Sequence, residues 1–181
     1  MNIKEFRKVM DSALAEEGLE HRRVLPMHPK VWSLPADDII RFFQPGAHRR
    51  PWGFVYYGVI SLEIPALRAW LIKHKPGDQA GIFRTYFTGY HTANDAVMNN
   101  FTVNFGDPLP ADLWAGLIRD RLAQLPSSLD ALTQTYRGNR DQLGWLAHPH
   151  QEHAWNFLLR WRENPDPALR VPKMSPNGQI V

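Results

Sequence analysis

The chain has 181 residues, with 21 Lys plus Arg against 18 Asp plus Glu, a formal net charge of +3. Hydrophobic residues at 44% and charged residues at 22% are globular proportions and exclude a globally disordered chain. The absence of cysteine excludes disulfides and thiolate chemistry and fits a reducing cytoplasm.

A chain of this length buries roughly 70% of its unfolded surface, so a single domain needs no staple. Both signs of charge are interspersed along it, whereas a nucleic-acid binder concentrates its basic excess. The N-terminal MNIKEFRKVM carries Lys4, Glu5, Arg7 and Lys8 and lacks the apolar core of a signal peptide. The uncharged run Trp52 to Leu62 stops at Glu63, short of the ~20 residues a membrane span needs. The expectation is a soluble cytoplasmic protein with no membrane contact.

Residues 3–17 predict an amphipathic helix, with Ile3, Phe6, Val9, Met10, Ala13 and Leu14 on one stripe. Asn2 and Glu5 are spaced as a capping box, and Gly18 suits the left-handed position that ends a helix. Residues 19–62 read as strands, kept short at first by Pro26, Pro29 and Pro35. Ile39 to Gln44 continues the pattern, and residues 46–51, GAHRRP, read as a turn. Residues 52–62 form the strongest predicted strand. Phe54, Tyr56, Ile60 and Leu62 share one face, and Val55, Tyr57 and Val59 share the other, so the strand is expected to be central.

Pro65 suits the first turn of a helix that carries Leu67, Trp70 and Leu71 and ends near Lys73 to Lys75. Residues 81–88 return to strand, and Phe101, Val103 and Phe105 alternate with Thr102 and Asn104 as a half-buried strand. Three helices are expected in the last third. The first runs from Pro110 to Gln124. The second is capped by Ser127 with Asp130 and runs to Arg137, and the third covers Pro149 to Glu163. The order predicts an α+β fold: an antiparallel sheet of about five or six strands with an N-terminal helix, a mid-chain helix and three C-terminal helices. Residues 1–163 are expected to form one domain, and the proline-rich residues 164–181 an extended tail.

The helix ending at Gly18, Trp32, Ile39 to Gln44 and the strand Phe54 to Leu62 together resemble an uncharacterised bacterial α+β domain family over residues 3–62. The resemblance implies a bacterial origin and a fold, and transfers no activity and no site residue.

Three constellations are candidates for chemistry. His48, Arg49 and Arg50, followed by Pro51 and Trp52, combine guanidinium forks with a stacking ring and suit an anion or an acidic partner. Arg22-Arg23 could join them. His148, His150 and His153 with Glu152 offer metal-ligand atoms, but the spacing is not the i, i+4 pair of a zinc helix, and neither a metal nor a cofactor is expected. Asp95 and His91 lie in a polar stretch with Asn94, Asn99 and Asn100 without a pairing signature. Asp37 and Asp38 are adjacent and would face apart on a strand. The stripe Trp155, Phe157, Leu158 and Trp161 is expected in the core.

Phosphate-binding glycine loops, a nucleophile elbow and a basic–aromatic platform for single strands are all missing from the sequence. The leading expectation is a non-catalytic cytoplasmic bacterial module that binds another macromolecule, a protein first, through His48, Arg49, Arg50 and Trp52. The alternatives are a small hydrolase or metal-dependent enzyme using His148 to His153, and nucleic-acid binding through arginines.

Overall fold

The computed structural model describes residues 1–22, 31–35, 38–76, 88–89, 101–147 and 152–172. The chain opens with α1, Ile3–Glu16. Asn2 accepts from the backbone N–H of Lys4 and Glu5, and the Glu5 carboxylate accepts from the Asn2 N–H at 2.7 Å, completing the capping box. Gly18 follows with φ +79°, the left-handed position that favours glycine. Phe6, Met10, Ala13 and Leu14 are buried, but Val9, expected on the same stripe, faces out.

Among the described residues six strands form one antiparallel sheet. They are β1 (Glu20–Arg22), β2 (Val31–Ser33), β3 (Ile40–Arg50), β4 (Gly53–Glu63), β5 (Thr88–Gly89) and β6 (Phe101–Asn104). The order is β1-β2-β3-β4, and both β5 and β6 pair with the far side of β4. β4 is therefore central, as its two apolar faces predict. Phe54, Tyr56, Ile60 and Leu62 are all buried on its main face.

The predicted turn at 46–51 is not a turn. β3 runs through Pro45 and Gly46 to Arg50, pairing residue by residue with β4, and only Pro51 and Trp52 make the bend. β2 meets β3 only at Phe42 and Phe43. By Pro45 that side of β3 has no strand partner among the described residues, the edge setting in which a strand tolerates proline. Gly46 is required for a different reason: a Cβ there would overlap the ring of Tyr57 on the neighbouring strand.

The remaining helices among the described residues are α2 (Pro65–His74), α3 (Ala111–Ala123), α4 (Leu129–Gly138) and α5 (Glu152–Glu163). A 3-10 segment, Arg140–Ala147, links the last two and kinks at Gly144, where φ is +53°. The predicted cap of α4 is displaced by one residue. Ser128, not Ser127, accepts from the Ala131 N–H at 3.1 Å, and the Asp130 carboxylate pairs with Arg162 on α5 instead. An α+β fold with an N-terminal helix, a mid-chain helix and a C-terminal helical group is thus observed. The strand expected over 81–87 and the helix start at 149–151 lie outside the described residues.

One core unites the main sheet face with the five described helices. Phe6 of α1 stacks on Phe54 at 4.8 Å, and Trp114 of α3 stacks over Tyr56 at 6.4 Å. Trp155 of α5 stacks on Tyr136 of α4 at 4.0 Å. Trp155, Phe157, Leu158 and Trp161 are all buried, so the aromatic stripe is core. Arg41 on β3 donates to the Leu122 and Leu125 carbonyls, placing a cation at the negative end of α3. The second sheet face has its own small cluster of Val31, Phe42 and Ile40. After α5 the described residues 164–172 turn back onto the fold. Leu169 N–H bonds back to the Asp166 carbonyl, the Trp70 indole donates to the Pro165 carbonyl at 3.3 Å, and Leu169 and Val171 pack on the core. No described helix is long and apolar enough to cross a membrane.

Candidate functional site

The tip of the β3–β4 hairpin carries His48, Arg49, Arg50 and Trp52, all of them exposed. They stand on paired strands and a two-residue bend, not on a six-residue loop. This changes what the pair of arginines can do. Neighbours on a strand point to opposite faces, so Arg49 and Arg50 cannot close on one anion as a clamp. Arg49 lies on the core side, opposite Phe54, with its guanidinium 5.4 Å from the centre of the Phe105 ring. Arg50 lies on the other side, opposite Gly53. Neither makes an ion pair among the described residues.

His48 is opposite Val55, one ladder step from Tyr57. Its ring stacks on the Tyr57 ring at 4.9 Å, and its Nε2 lies 2.9 Å from the tyrosine hydroxyl. This contact holds the imidazole against the sheet. Trp52 is 46% exposed and Phe105, just beyond β6, is 43% exposed. The Phe105 N–H donates to the Trp52 carbonyl at 2.9 Å, which ties the bend to β6. Phe105 also meets Phe54 edge-on at 5.3 Å, continuing the buried Phe6–Phe54 stack out to the surface. Arg7 of α1 adds a third cation at the base, donating to the Ala47 carbonyl at 3.2 Å. Asp107, just beyond β6, accepts from the Asn104 amide at 3.0 Å.

Two members of this surface escaped the sequence reading. Phe105 looked like an inward strand residue by alternation with Phe101 and Val103, but β6 ends at Asn104. Arg7 was read only as one of the N-terminal charges, and the packing of α1 on β3 brings it to the hairpin. Arg22 is at the end of β1, remote from the tip in strand order, and Arg23 lies outside the described residues.

The other candidates fall mostly outside what the structure describes. His148, His150, His91, Asp95, Asn94, Asn99, Asn100 and Asp37 lie outside the described residues. His153 is on the first turn of α5, and burial holds its pKa below the ordinary value. No group of three or more metal-ligating side chains occurs among the described residues. Asp38 is exposed.

Fold and surface together define an α+β domain with an exposed cationic and aromatic hairpin. No protein-family model matches the chain, and no curated protein and no solved structure matches it either.

Proposed function

We propose that this protein is a non-catalytic binding module that docks an acidic protein partner through the tip of the β3–β4 hairpin. The observation that carries the reading is the surface made by Arg49, Arg50, Trp52 and Phe105. The tip holds two exposed guanidiniums, one on each face and neither with an ion pair among the described residues, and two large rings left partly in water. Arg and Trp are the side chains enriched where binding energy concentrates, and the paired strands hold them in place before a partner arrives. The setting we propose is the bacterial cytoplasm. A cysteine-free chain supports the compartment, and the resemblance of residues 3–62 supports the bacterial origin.

The test is capture of partners from a native lysate, followed by association kinetics of the parent and the Arg49→Ala/Arg50→Ala double variant at two salt concentrations. Charge steering predicts a slower on-rate for the variant and an on-rate that falls with salt for the parent. Stability should stay within about 0.5 kcal/mol, as for ordinary surface changes. An unchanged on-rate overturns the proposal, and so does capture of RNA or DNA in place of protein.

A further inference from the structure

The register of β3 on β4 gives the hairpin tip two unlike faces. Arg50 lies opposite Gly53, and Gly53 lies opposite Asn104 on β6, so Arg50 and Asn104 share the second sheet face. The Asn104 amide holds the Asp107 carboxylate at 3.0 Å, so this face carries a negative charge as well as a cation. His48, on the same face, is engaged with the Tyr57 hydroxyl. Arg49 lies on the core face, opposite Phe54. Arg7 reaches that end from α1 and donates to the carbonyl of Ala47, two residues before Arg49 on the same face. Glu5, the acid closest to Arg7 along α1, is taken up by the Asn2 N–H at 2.7 Å.

Arg49 differs from Arg50 in a second way. Its guanidinium is 5.4 Å from the centre of the Phe105 ring, within cation–π range. Phe105 is fixed in turn, edge-on to Phe54 at 5.3 Å and with its N–H donating to the Trp52 carbonyl at 2.9 Å. The ring therefore holds the guanidinium, and part of the side-chain entropy that docking would remove is already lost. The Arg50 side chain makes no ring contact among the described residues. Arg7 and Arg49 are exposed, and Phe105 keeps 43% of its surface in water, so a partner can touch all three.

The three groups narrow the partner. A guanidinium carries its five N–H donors around its rim, and they form the fork that a carboxylate meets with both oxygens. A second cation at Arg7 suits a second carboxylate. The exposed Phe105 ring suits an apolar or aromatic side chain, which a simple anion lacks. An extended acidic segment supplies all three from neighbouring residues, because its side chains recur on one face every ~7 Å.

We infer that the core-side face of the tip, with Arg49, Arg7 and Phe105, is the half that docks, and that the partner protein offers it an extended acidic segment in which carboxylates flank an aromatic side chain. One carboxylate accepts from the Arg49 guanidinium, another accepts from Arg7, and the aromatic ring lies against Phe105. Arg50 stays outside the contact. The inference rests on the hairpin reading above and names the chemistry that the tip selects.

Fluorescence anisotropy of the full chain tests it with three labelled probes: the end-blocked peptide Glu-Asp-Phe-Asp-Glu, its amide isostere Gln-Asn-Phe-Asn-Gln, and an oligothymidylate. The acidic peptide should bind with a Kd below about 1 mM, and more weakly as salt is raised. The isostere should bind at least about ten-fold more weakly, since it loses the charge-assisted bonds. Arg49→Ala should weaken the acidic peptide by about ten-fold or more, and Arg49→Lys by about three-fold or more, because an ammonium keeps the charge but loses the fork and the flat contact with the ring. Arg50→Ala should change it by less than about two-fold, as for a charge at the rim of a contact. All three variants are at exposed positions and should keep the melting temperature of the parent. No binding of the acidic peptide at about 1 mM overturns the inference. So does an isostere or an oligothymidylate that binds as tightly as the acidic peptide, and so does a loss from Arg50→Ala as large as that from Arg49→Ala. The association kinetics of a captured partner keep the two readings apart. A partner slowed by Arg50→Ala alone overturns this inference and leaves the hairpin reading standing, whereas a partner slowed by neither variant overturns both.

Discussion

Gly58 lies beneath the ring of Phe43, and a Cβ at Gly58 would occupy the space taken by Cε2 and Cζ of that ring. The two residues are on adjacent strands and the same sheet face, one ladder step apart. Phe43 is among the largest fully buried side chains, so it has nowhere to retreat. Gly58→Ala should therefore cost about 1–3 kcal/mol through overpacking. Denaturant unfolding checks this, and a variant as stable as the parent would mean that the ring shifts freely.

Ile60 is the next residue on that face and is paired with Phe43 on β3 and Gly89 on β5. Its position on the central strand leaves little room for collapse around a deletion. Ile60→Ala should cost about 2–5 kcal/mol, the transfer loss plus the cavity. The measurement is the midpoint shift in urea at constant slope.

Burial raises the pKa of Glu63 above the ordinary value of 4.5, against the opposing pull of the Arg68 hydrogen bond and the Arg68 and Arg22 charges. The folded chain then holds this proton more tightly than the unfolded chain does. The stability it contributes is complete below the ordinary value and is lost as pH rises through the raised one. The difference in unfolding free energy between the parent and Glu63→Gln should thus move against the parent as pH rises from 4.5. A difference that is flat, or that favours the parent as pH rises, would place the carboxylate in a stronger field than Arg68 and Arg22 supply.

His153 has the opposite sign. Burial holds its pKa below the ordinary 6.5, so the unfolded chain takes up the proton more readily. Its contribution is present above that value and is lost as pH falls through the lowered one. His153→Gln should flatten the acid limb of the stability curve. A chelator should leave the melting temperature of the parent unchanged. A structural metal that bound only the folded state would lower it on removal, and a fall abolished by His150→Ala would assign a metal to this segment.

Much of the architecture was legible because it depends on local rules. The capping box of Asn2 and Glu5, the left-handed Gly18 and the helix-opening Pro65 each satisfy backbone groups within a few residues. The alternation of residues 52–62 required a central strand because both faces were apolar. Errors came where a local signal met a distant partner. Pro45-Gly46 has the composition of a turn. It is strand because the pairing with β4 continues through Gly58 and Tyr57, and because Tyr57 needs the space over Gly46. Ser127 and Asp130 have the spacing of a cap, but Asp130 pairs instead with Arg162 on a helix far along the chain.

The candidate sites divide in the same way. The residue types at the hairpin tip, two arginines, a histidine and a tryptophan, were evident from the sequence. Whether Arg49 and Arg50 act together was decided by the register of β3 on β4, which sends them to opposite faces. Glu63 appeared in the sequence only as the charge that ends an apolar run. In the fold it is a buried carboxylate that accepts from Arg68 of α2 at 2.8 Å. Hydrophobic period and capping act over one or two turns of chain, so the sequence by itself determined the elements and the fold class. Register, burial of a charge and the meeting of α1 with the hairpin depend on contacts between distant segments, and only the tertiary structure decided them.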